Sequence, residues 1–308
     1  MISILMATWN GEKYIAEQID SLLNQTIHDF KLYISDDRSN DRTLAILQDY
    51  QRRYADQIFI TRRKKNSGGA KHNFFHLMTA HKDDYVMLCD QDDLWLPDKI
   101  ELTLNKIREM EHQFGKDTPL LAHSDLIIAD KALNVLHPSY KETMNANFNR
   151  TSLKDALIQN TFAGCSAIYN RALSQLIRRE PSYSVMHDWW LMLIASAFGT
   201  IGHIDRKTIL YRQHSNNSCG AQDRRSLKFM FHKLLDLKNV KDSLSRTYLQ
   251  AQSFLDMYRA QLTQDQIRLL MNYCEIPRLH KLQRIQRLFQ LGTLKNGTAR
   301  KIAQILCV

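Results

Sequence analysis

Glycine-rich phosphate loops are missing from this chain: no G-x-G-x-x-G follows the first strand-like run, and no G-x-x-x-x-G-K-[ST] occurs anywhere. Both motifs need glycines that let backbone N–H groups approach a phosphate, so their absence removes the Rossmann dinucleotide and P-loop readings. Cysteine is sparse as well. Cys89, Cys165, Cys219, Cys274 and Cys307 show no C-x-x-C spacing, which argues for a reducing compartment and against a thiolate zinc site. Long apolar runs are also lacking. The longest, Trp189 to Ile201, is broken by Ser196, Gly199 and Thr200 and falls short of the roughly 18 residues that suggest a membrane span. Met1 to Leu5 lead directly into a strand-like segment with no basic n-region or cleavage site, so no secretory signal is expected. Repeats and low-complexity tracts are absent.

What is present is an ordinary globular composition, 44% hydrophobic and 24% charged over 308 residues, a length suited to one large domain with an appendage. The net charge of +10 is localised. Ala221 to Val308 hold sixteen Lys and Arg against six Asp and Glu, while the remainder balances at 26 of each sign.

Periodicity predicts strands at Ile2–Ala7, Lys31–Ser35, Ile58–Thr61 and Tyr85–Cys89, alternating with helices over Glu12–Asn24, Thr43–Tyr54 and Gly69–Ala80. This alternation means a parallel sheet with right-handed crossovers. A helix from Pro97 to His112 follows, then a strand over Leu120–Ala129 interrupted at Asp125 and a turn over Asp130–Asn134. Further on come a strand over Thr161–Asn170, a helix over His187–Phe198 and one or two strands over Thr200–Arg212. From Ser226 onward everything reads helical. A boundary near Ser215–Gln222 separates residues 1–220, an α/β catalytic domain, from residues 221–308, a basic helical extension.

Four polar loops follow the first four strands: Thr8 to Glu12, Asp36 to Asp41, Asn66 to Lys71 and Asp90 to Asp93. All four should open on one edge of the sheet, where open α/β sheets bind their ligands. The three carboxylates Asp90, Asp92 and Asp93 suit a hard divalent cation bridging phosphate oxygens. Read without its neighbours, that turn is a solvated acidic cap for the helix after Pro97. Asp41 suits an N-cap for the second helix, leaving Asp36 and Asp37 for a ligand. Gly68-Gly69 followed by Lys71 either brings backbone and a cation to the same ligand or simply makes a turn.

Ala7-Thr8-Trp9-Asn10-Gly11-Glu12, Ser35-Asp36-Asp37-Arg38-Ser39, Asn66-Ser67-Gly68 and Cys89-Asp90-Gln91-Asp92-Asp93 together resemble the inverting family 2 glycosyltransferases of the GT-A fold. Asn73-Phe74-Phe75, Leu94-Trp95-Leu96-Pro97, His187-Asp188-Trp189, Ala195 to Gly199 and Tyr211-Arg212-Gln213-His214 resemble the bacterial rhamnosyltransferases of cell-wall and capsule synthesis within that family. The likeness spans roughly residues 1 to 222. It implies a Rossmann-like mixed sheet, with Thr8, Asn10, Asp36, Asp37, Asn66, Lys71, Asp90 and Asp92 on the nucleotide-sugar donor. It further implies Asp92 and His214 at an Mg²⁺ or Mn²⁺ ion, Asp188 as general base, and Trp189 and Trp190 toward the acceptor. The implied donor is dTDP-rhamnose, or else a UDP-hexose; the implied acceptor is a polyprenyl-diphosphate-linked glycan. Catalytically idle sugar-nucleotide or glycan binding is the alternative outside enzymology. Arg38, where glycine is common, and Trp9, where tyrosine is common, depart from the family pattern.

In the tail, Arg278 to Phe289 sets basic residues at every third position beside Leu279, Leu282, Ile285 and Leu288. Such a helix suits an anionic membrane surface or packing of its apolar stripe within the protein. Few aromatics and no known motif argue against nucleic acid. The expected location is cytoplasmic, peripheral at the inner face of the cell membrane.

Overall fold

A computed structural model describes residues 1–214 and 237–308, which fall into two compact units. The chain runs β1 (Ile2–Thr8), α1 (Ile15–Leu23), β2 (Phe30–Asp36), α2 (Thr43–Arg53), β3 (Ile58–Arg62), α3 (Ala70–Ala80) and β4 (Tyr85–Cys89). It continues through β5 (Leu94–Trp95), α4 (Lys99–Phe114), β6 (Leu120–Ala129), β7 (Val135–His137), α5 (Tyr140–Thr143) and α6 (Leu153–Ile158). After them come β8 (Ala167–Asn170), α7 (Arg171–Leu176), α8 (His187–Phe198) and β9 (Thr200–Arg212).

The first unit comprises Met1–Tyr140, Phe162–Glu180 and the described part of Thr200–Ala221. It holds one mixed sheet in the order β3-β2-β1-β4-β8-β6-β9-β5, with β7 beside β6. Every residue of β1 is buried, which is why its sequence is continuous and apolar rather than alternating. Ile4, Met6, Leu32, Ile34 and Met87 from the central strands share a core with Ile15, Ile19 and Leu22 of α1 and Ile100, Leu104 and Ile107 of α4. Strands β1 to β4 pair in parallel, β8 runs antiparallel to β4 and β6, and β9 returns parallel to β6.

Two expectations change. The strand over Thr161–Asn170 contracts to β8, because Gly164–Ser166 forms a 3₁₀ turn. At Asp125 β6 is not interrupted; instead its register against β9 shifts there. The Asp125 carboxylate accepts the Leu126 N–H at 2.9 Å and the Ser139 hydroxyl at 2.6 Å, so a polar residue is accommodated at an irregularity in the pairing.

The second unit comprises Lys141–Thr161, Pro181–Gly199 and the described part of Gln222–Val308. Besides α6 and α8 it contains α9 (Leu237–Tyr258), α10 (Gln264–Glu275), α11 (Lys281–Leu291) and α12 (Thr298–Cys307). The described part of the tail is helical, as its composition predicts. Its partners are not confined to the tail: Trp190 of α8 is fully buried and meets Phe254 of α9 edge-on at 5.4 Å. Gln266 of α10 donates to the Ala197 carbonyl at 2.6 Å, after a Thr263–Gln266 capping box starts its helix. The compact units therefore interleave along the chain rather than following a single cut at 220. The boundary expected near Ser215–Gln222 lies outside the described residues.

The apolar residues of α11 gather on one broad face rather than a narrow stripe. At about 100° per residue, a step of three rotates the side chain 300°, so Leu282 and Leu288 point about 120° apart. Leu288 is buried, whereas Leu282 is 82% and Phe289 57% exposed. Arg284 turns back to the Leu279 and Pro277 carbonyls at 2.6 and 2.8 Å, and Arg287 to Asn272 and Glu275.

Candidate active site at the strand ends

Register brings the predicted loops together. Thr8 lies opposite Asp36 across β1 and β2, Asp36 opposite Arg62 across β2 and β3, and Met6 opposite Cys89 across β1 and β4. Thr8, Asp36 and Asp90 thus leave the sheet at the same edge.

Thr8 is buried; its hydroxyl faces the Ser35 carbonyl at 3.5 Å, and its own carbonyl accepts the Asp37 N–H at 2.8 Å. Asn10 takes left-handed backbone with φ 48°. Its N–H donates to the Ser39 hydroxyl and its side-chain carbonyl accepts from Asn40 N–H, each at 2.9 Å. The two acids of the second loop differ. Asp37 accepts the Ser67 N–H at 2.8 Å and the Ser67 hydroxyl at 2.7 Å, while Asn66 donates to the Asp37 carbonyl at 2.8 Å. Its carboxylate therefore ties the second loop to the third. In Asp36, Oδ2 accepts from Ser39 N–H at 3.2 Å and lies 3.6 Å from Arg62 Nε. Asp36 Oδ1 is buried with no hydrogen-bond partner, the group in this pair that most needs a donor. Arg38 adopts φ 68°, the conformation that makes glycine common in its place. Lys71 occupies the first turn of α3.

The acidic turn is organised by a residue outside it. Arg212, at the end of β9 and 2% exposed, donates its N–H to Asp93 Oδ1 at 3.0 Å and its Nε to the Asp92 carbonyl at 2.7 Å. Its Nη1 reaches the Lys131 carbonyl at 2.7 Å, its Nη2 pairs with Glu17 of α1, and its guanidinium lies 4.5 Å over the Tyr14 ring. Two residues later His214 Nε2 shares a 2.8 Å hydrogen bond with Asp92 Oδ2 and stacks on the other neighbour of Arg212, Tyr14, at 4.9 Å.

Two donor sets could take a cation. Asp90, Asp93 and Cys165 offer ligand atoms within 4.8 Å of one another. Burial, then the charges of Asp92 and Asp90, push the Asp93 carboxyl well above the usual carboxylate range. Burial, then Asp93 and Asp90, push the Cys165 thiol up. Both groups thus favour their protonated forms, whereas a metal needs deprotonated ligands. Asp92 Oδ2 and His214 Nε2 converge at 2.8 Å and supply the oxygen and imidazole donors a divalent ion accepts.

Behind the turn, the ammonium of Lys99 is buried without a hydrogen-bond partner, 4.2 Å over the Trp95 ring. Burial, partly offset by Cys165, Cys89 and Asp93, lowers it from 10.5 to about 8.

Asp188 and Trp189 belong to the second unit. Asp188 lies in the first turn of α8 and accepts the Trp189 N–H at 2.7 Å. Trp189 is half-buried and donates its indole N–H to the Ala156 carbonyl at 2.6 Å. Trp190, expected toward an acceptor, is instead core: helical spacing turns adjacent residues about 100° apart, and Trp190 meets Phe254 and Tyr258.

Arg212 was legible only as part of a motif: it closes the run Thr208 to Tyr211 and is followed by polar Gln213 and His214, so nothing in its spacing marks a buried charge. Gln91 and Lys99 carried no signal either. Arg212→Lys retains the charge but loses the planar fork; with two carbonyl contacts each worth about 1.5–3 kcal/mol, the expected cost is about 3 kcal/mol in denaturant unfolding. A cost under 1 kcal/mol would show the fork to be dispensable. For Lys99, the folded-state value lies below the unfolded one, so stability rises with pH between about 8 and 10.5. Lys99→Met should exceed the native protein in melting temperature at pH 7, with the margin shrinking toward pH 10; a constant margin would contradict the burial effect.

Residues 3–176 match the family described as glycosyl transferase family 2. The dTDP-rhamnosyl transferase RfbG of Shigella flexneri is 31% identical over 227 residues, covering 70% of this chain and 74% of that protein. The fold is similar to S. aureus TarS residues 1–349 in complex with UDP-GlcNAc, with TM-score 0.54 at 15% identity over 99% of this chain and 88% of that one. It is also similar to the mannosyltransferase PcManGT of Pyrobaculum calidifontis in complex with GDP-Man and Mn²⁺, with TM-score 0.55 at 13% identity over 94% and 72%. The curled mixed sheet with its polar strand-end loops is a GT-A fold carrying C-terminal helices, and the chain belongs to glycosyl transferase family 2.

Proposed function

We propose that this glycosyltransferase inverts the anomeric centre of L-rhamnose, moving it from dTDP-β-L-rhamnose to a lipid-linked glycan in cell-wall or capsular polysaccharide synthesis. The observation that carries the reading is the convergence of Thr8, Asp36 and the Asp90–Asp93 turn at one sheet edge, with His214 joined to Asp92 at 2.8 Å. The likeness to RfbG supports the sugar. The nucleotide in the TarS complex favours the second reading, a UDP-hexose donor in the same site.

In this reading the loops divide the donor. Thr8 and Asp37, with Asp36 as the other candidate, lie around the base, the unpartnered Asp36 Oδ1 suiting an N–H donor, and Asn10 and Asn66 contact the donor as well. Lys71 serves the diphosphate and Asp90 the ribose or sugar. Asp92 and His214 hold Mg²⁺ or Mn²⁺, which when bound supplies Lewis-acid neutralisation of the leaving diphosphate. An acceptor hydroxyl is a poor nucleophile, and Asp188 takes its proton as general base, a contribution of roughly 10²–10⁴-fold. Trp189 contributes the aromatic surface for the acceptor.

Purified protein should be stabilised against heat by dTDP-rhamnose with Mn²⁺, a ligand at about 100 times its Kd being worth about 2.7 kcal/mol. Stabilisation by UDP-hexoses alone would move the donor assignment to the second reading. Asp188→Asn should lose at least 100-fold in turnover while retaining that stabilisation; unchanged turnover would remove Asp188 from catalysis.

For the acceptor we place the enzyme peripherally on the inner membrane face. Among the described residues no helix is long and apolar enough to cross a membrane. Exposed Leu282 and Phe289 lie in a segment, Leu279 to Val308, with six Lys and Arg and no Asp or Glu, the combination of insertion and charge that surface binding needs. The protein should co-sediment with vesicles containing phosphatidylglycerol, and Leu282→Ser with Phe289→Ser should weaken this about tenfold. Equal binding by the double variant would exclude α11 as the anchor.

A further inference from the structure

We infer that Gln91, the uncharged member of the acidic turn, is a positioning residue that couples the turn to the first loop; this deepens the proposed sugar-nucleotide reading and rests on it. Its carboxamide pairs with both backbone groups of one residue, accepting the Trp9 N–H at 2.9 Å and donating to the Trp9 carbonyl at 3.0 Å. The side chain completes a two-bond bridge of the kind one strand residue makes to another.

Gly11 makes the room. A Cβ there would stand 2.4 Å from Gln91 Oε1 and 2.8 Å from its Cδ, so any other residue would push the carboxamide away. Gly11 does not have the left-handed backbone seen at Asn10; it is the volume of a side chain, not conformational freedom, that this position excludes.

The remainder of the first loop is fixed from the opposite side. Asn10 N–H reaches Ser39, Gly11 N–H reaches the Thr43 hydroxyl at 2.8 Å, and Glu12 N–H reaches Asp41 at 3.2 Å. All three anchors lie in the second loop or the start of α2. Gln91 is therefore what joins the Trp9 backbone to the fourth loop, and it does so from between Asp90 and Asp92. Trp9 itself remains 54% exposed: its backbone is held on both polar groups while its ring is left available. A donor that contacts both loops meets them in fixed relation only while the clamp is closed.

Loss of both bonds corresponds to about a tenfold change in affinity. Gln91→Met keeps the length and removes both bonds; Gly11→Ala leaves Gln91 intact and displaces it. The probe is dTDP with Mn²⁺, its affinity read by titration calorimetry, with donor KM and kcat measured separately. Each variant should weaken dTDP binding and raise donor KM about tenfold, with kcat changed less than threefold. The double variant should be no worse than either single one, because both act on one clamp. Gln91→Glu, which retains the acceptor for Trp9 N–H but not the donor, should fall between.

Native dTDP affinity in Gln91→Met and Gly11→Ala, or additive losses in the double variant, would overturn the coupling. So would a loss confined to melting temperature and kcat, which a merely structural role predicts. A native protein that binds neither dTDP nor another nucleoside diphosphate would sink the sugar-nucleotide reading and this inference with it, an outcome distinct from binding that the variants leave unchanged.

Discussion

The guanidinium of Arg212 is the interaction on which the candidate site depends. It is almost completely withdrawn from water, and a buried cation is tolerated only when its donors are satisfied. Satisfying them draws in the Asp92 carbonyl, the Lys131 carbonyl and Glu17 of α1, while the same residue's N–H takes Asp93. An element from late in the chain thus sets the shape of a turn 119 residues earlier. The antiparallel pairing of β5 with β9, Leu94 opposite Leu210 and Trp95 opposite Ile209, supplies the alignment, and His214 follows because it comes two residues after the arginine. The Tyr14 ring, with Arg212 and His214 both against it, closes the cluster.

The acidic turn illustrates how neighbouring carboxylates acquire different chemistry from different surroundings. Asp93 faces inward, where desolvation and the charges of Asp92 and Asp90 favour its proton. Asp92 faces an imidazole. Of two adjacent acids, one is buried against the Arg212 backbone and the other meets a ring nitrogen. The same division occurs in the second loop, where Asp37 spends both oxygens on Ser67 and Asp36 retains an unsatisfied one.

Much of this was legible in the amino-acid order. The parallel half of the sheet follows from alternating periods, because the central strands β1 and β4 are covered on both faces and α1 to α3 on one. The convergence of four loops follows from topology alone. Short elements such as β5, β7 and α7 were not legible, since two to six residues span too little of a period to show one. Nor was the fate of Trp190 against Trp189, because both are equally apolar and only the packing of α9 on α8 distinguishes them. The interleaved units were hidden for a related reason: Lys141–Thr161 and Pro181–Gly199 cluster with helices far along the chain, and sequence proximity points them elsewhere. Gln91 was hidden by chemistry: a carboxamide between acids reads as an interruption until its two bonds to Trp9 are seen.

The arginines of α11 bear on how the tail's charge acts. Of the six bases from Leu279 onward, Arg284 is committed to carbonyls of its own unit and Arg287 to an asparagine and a glutamate. Glu275 offsets the charge of Arg287, and Arg284, though still charged, is held back against the protein instead of reaching outward. Any association it makes with an anionic surface leans on the exposed Leu282 and Phe289 more than the composition suggests, and burial of apolar area is not screened as charge is beyond about 8 Å at physiological ionic strength. Contact made through those two side chains would weaken less in added salt than contact made by a purely basic tail.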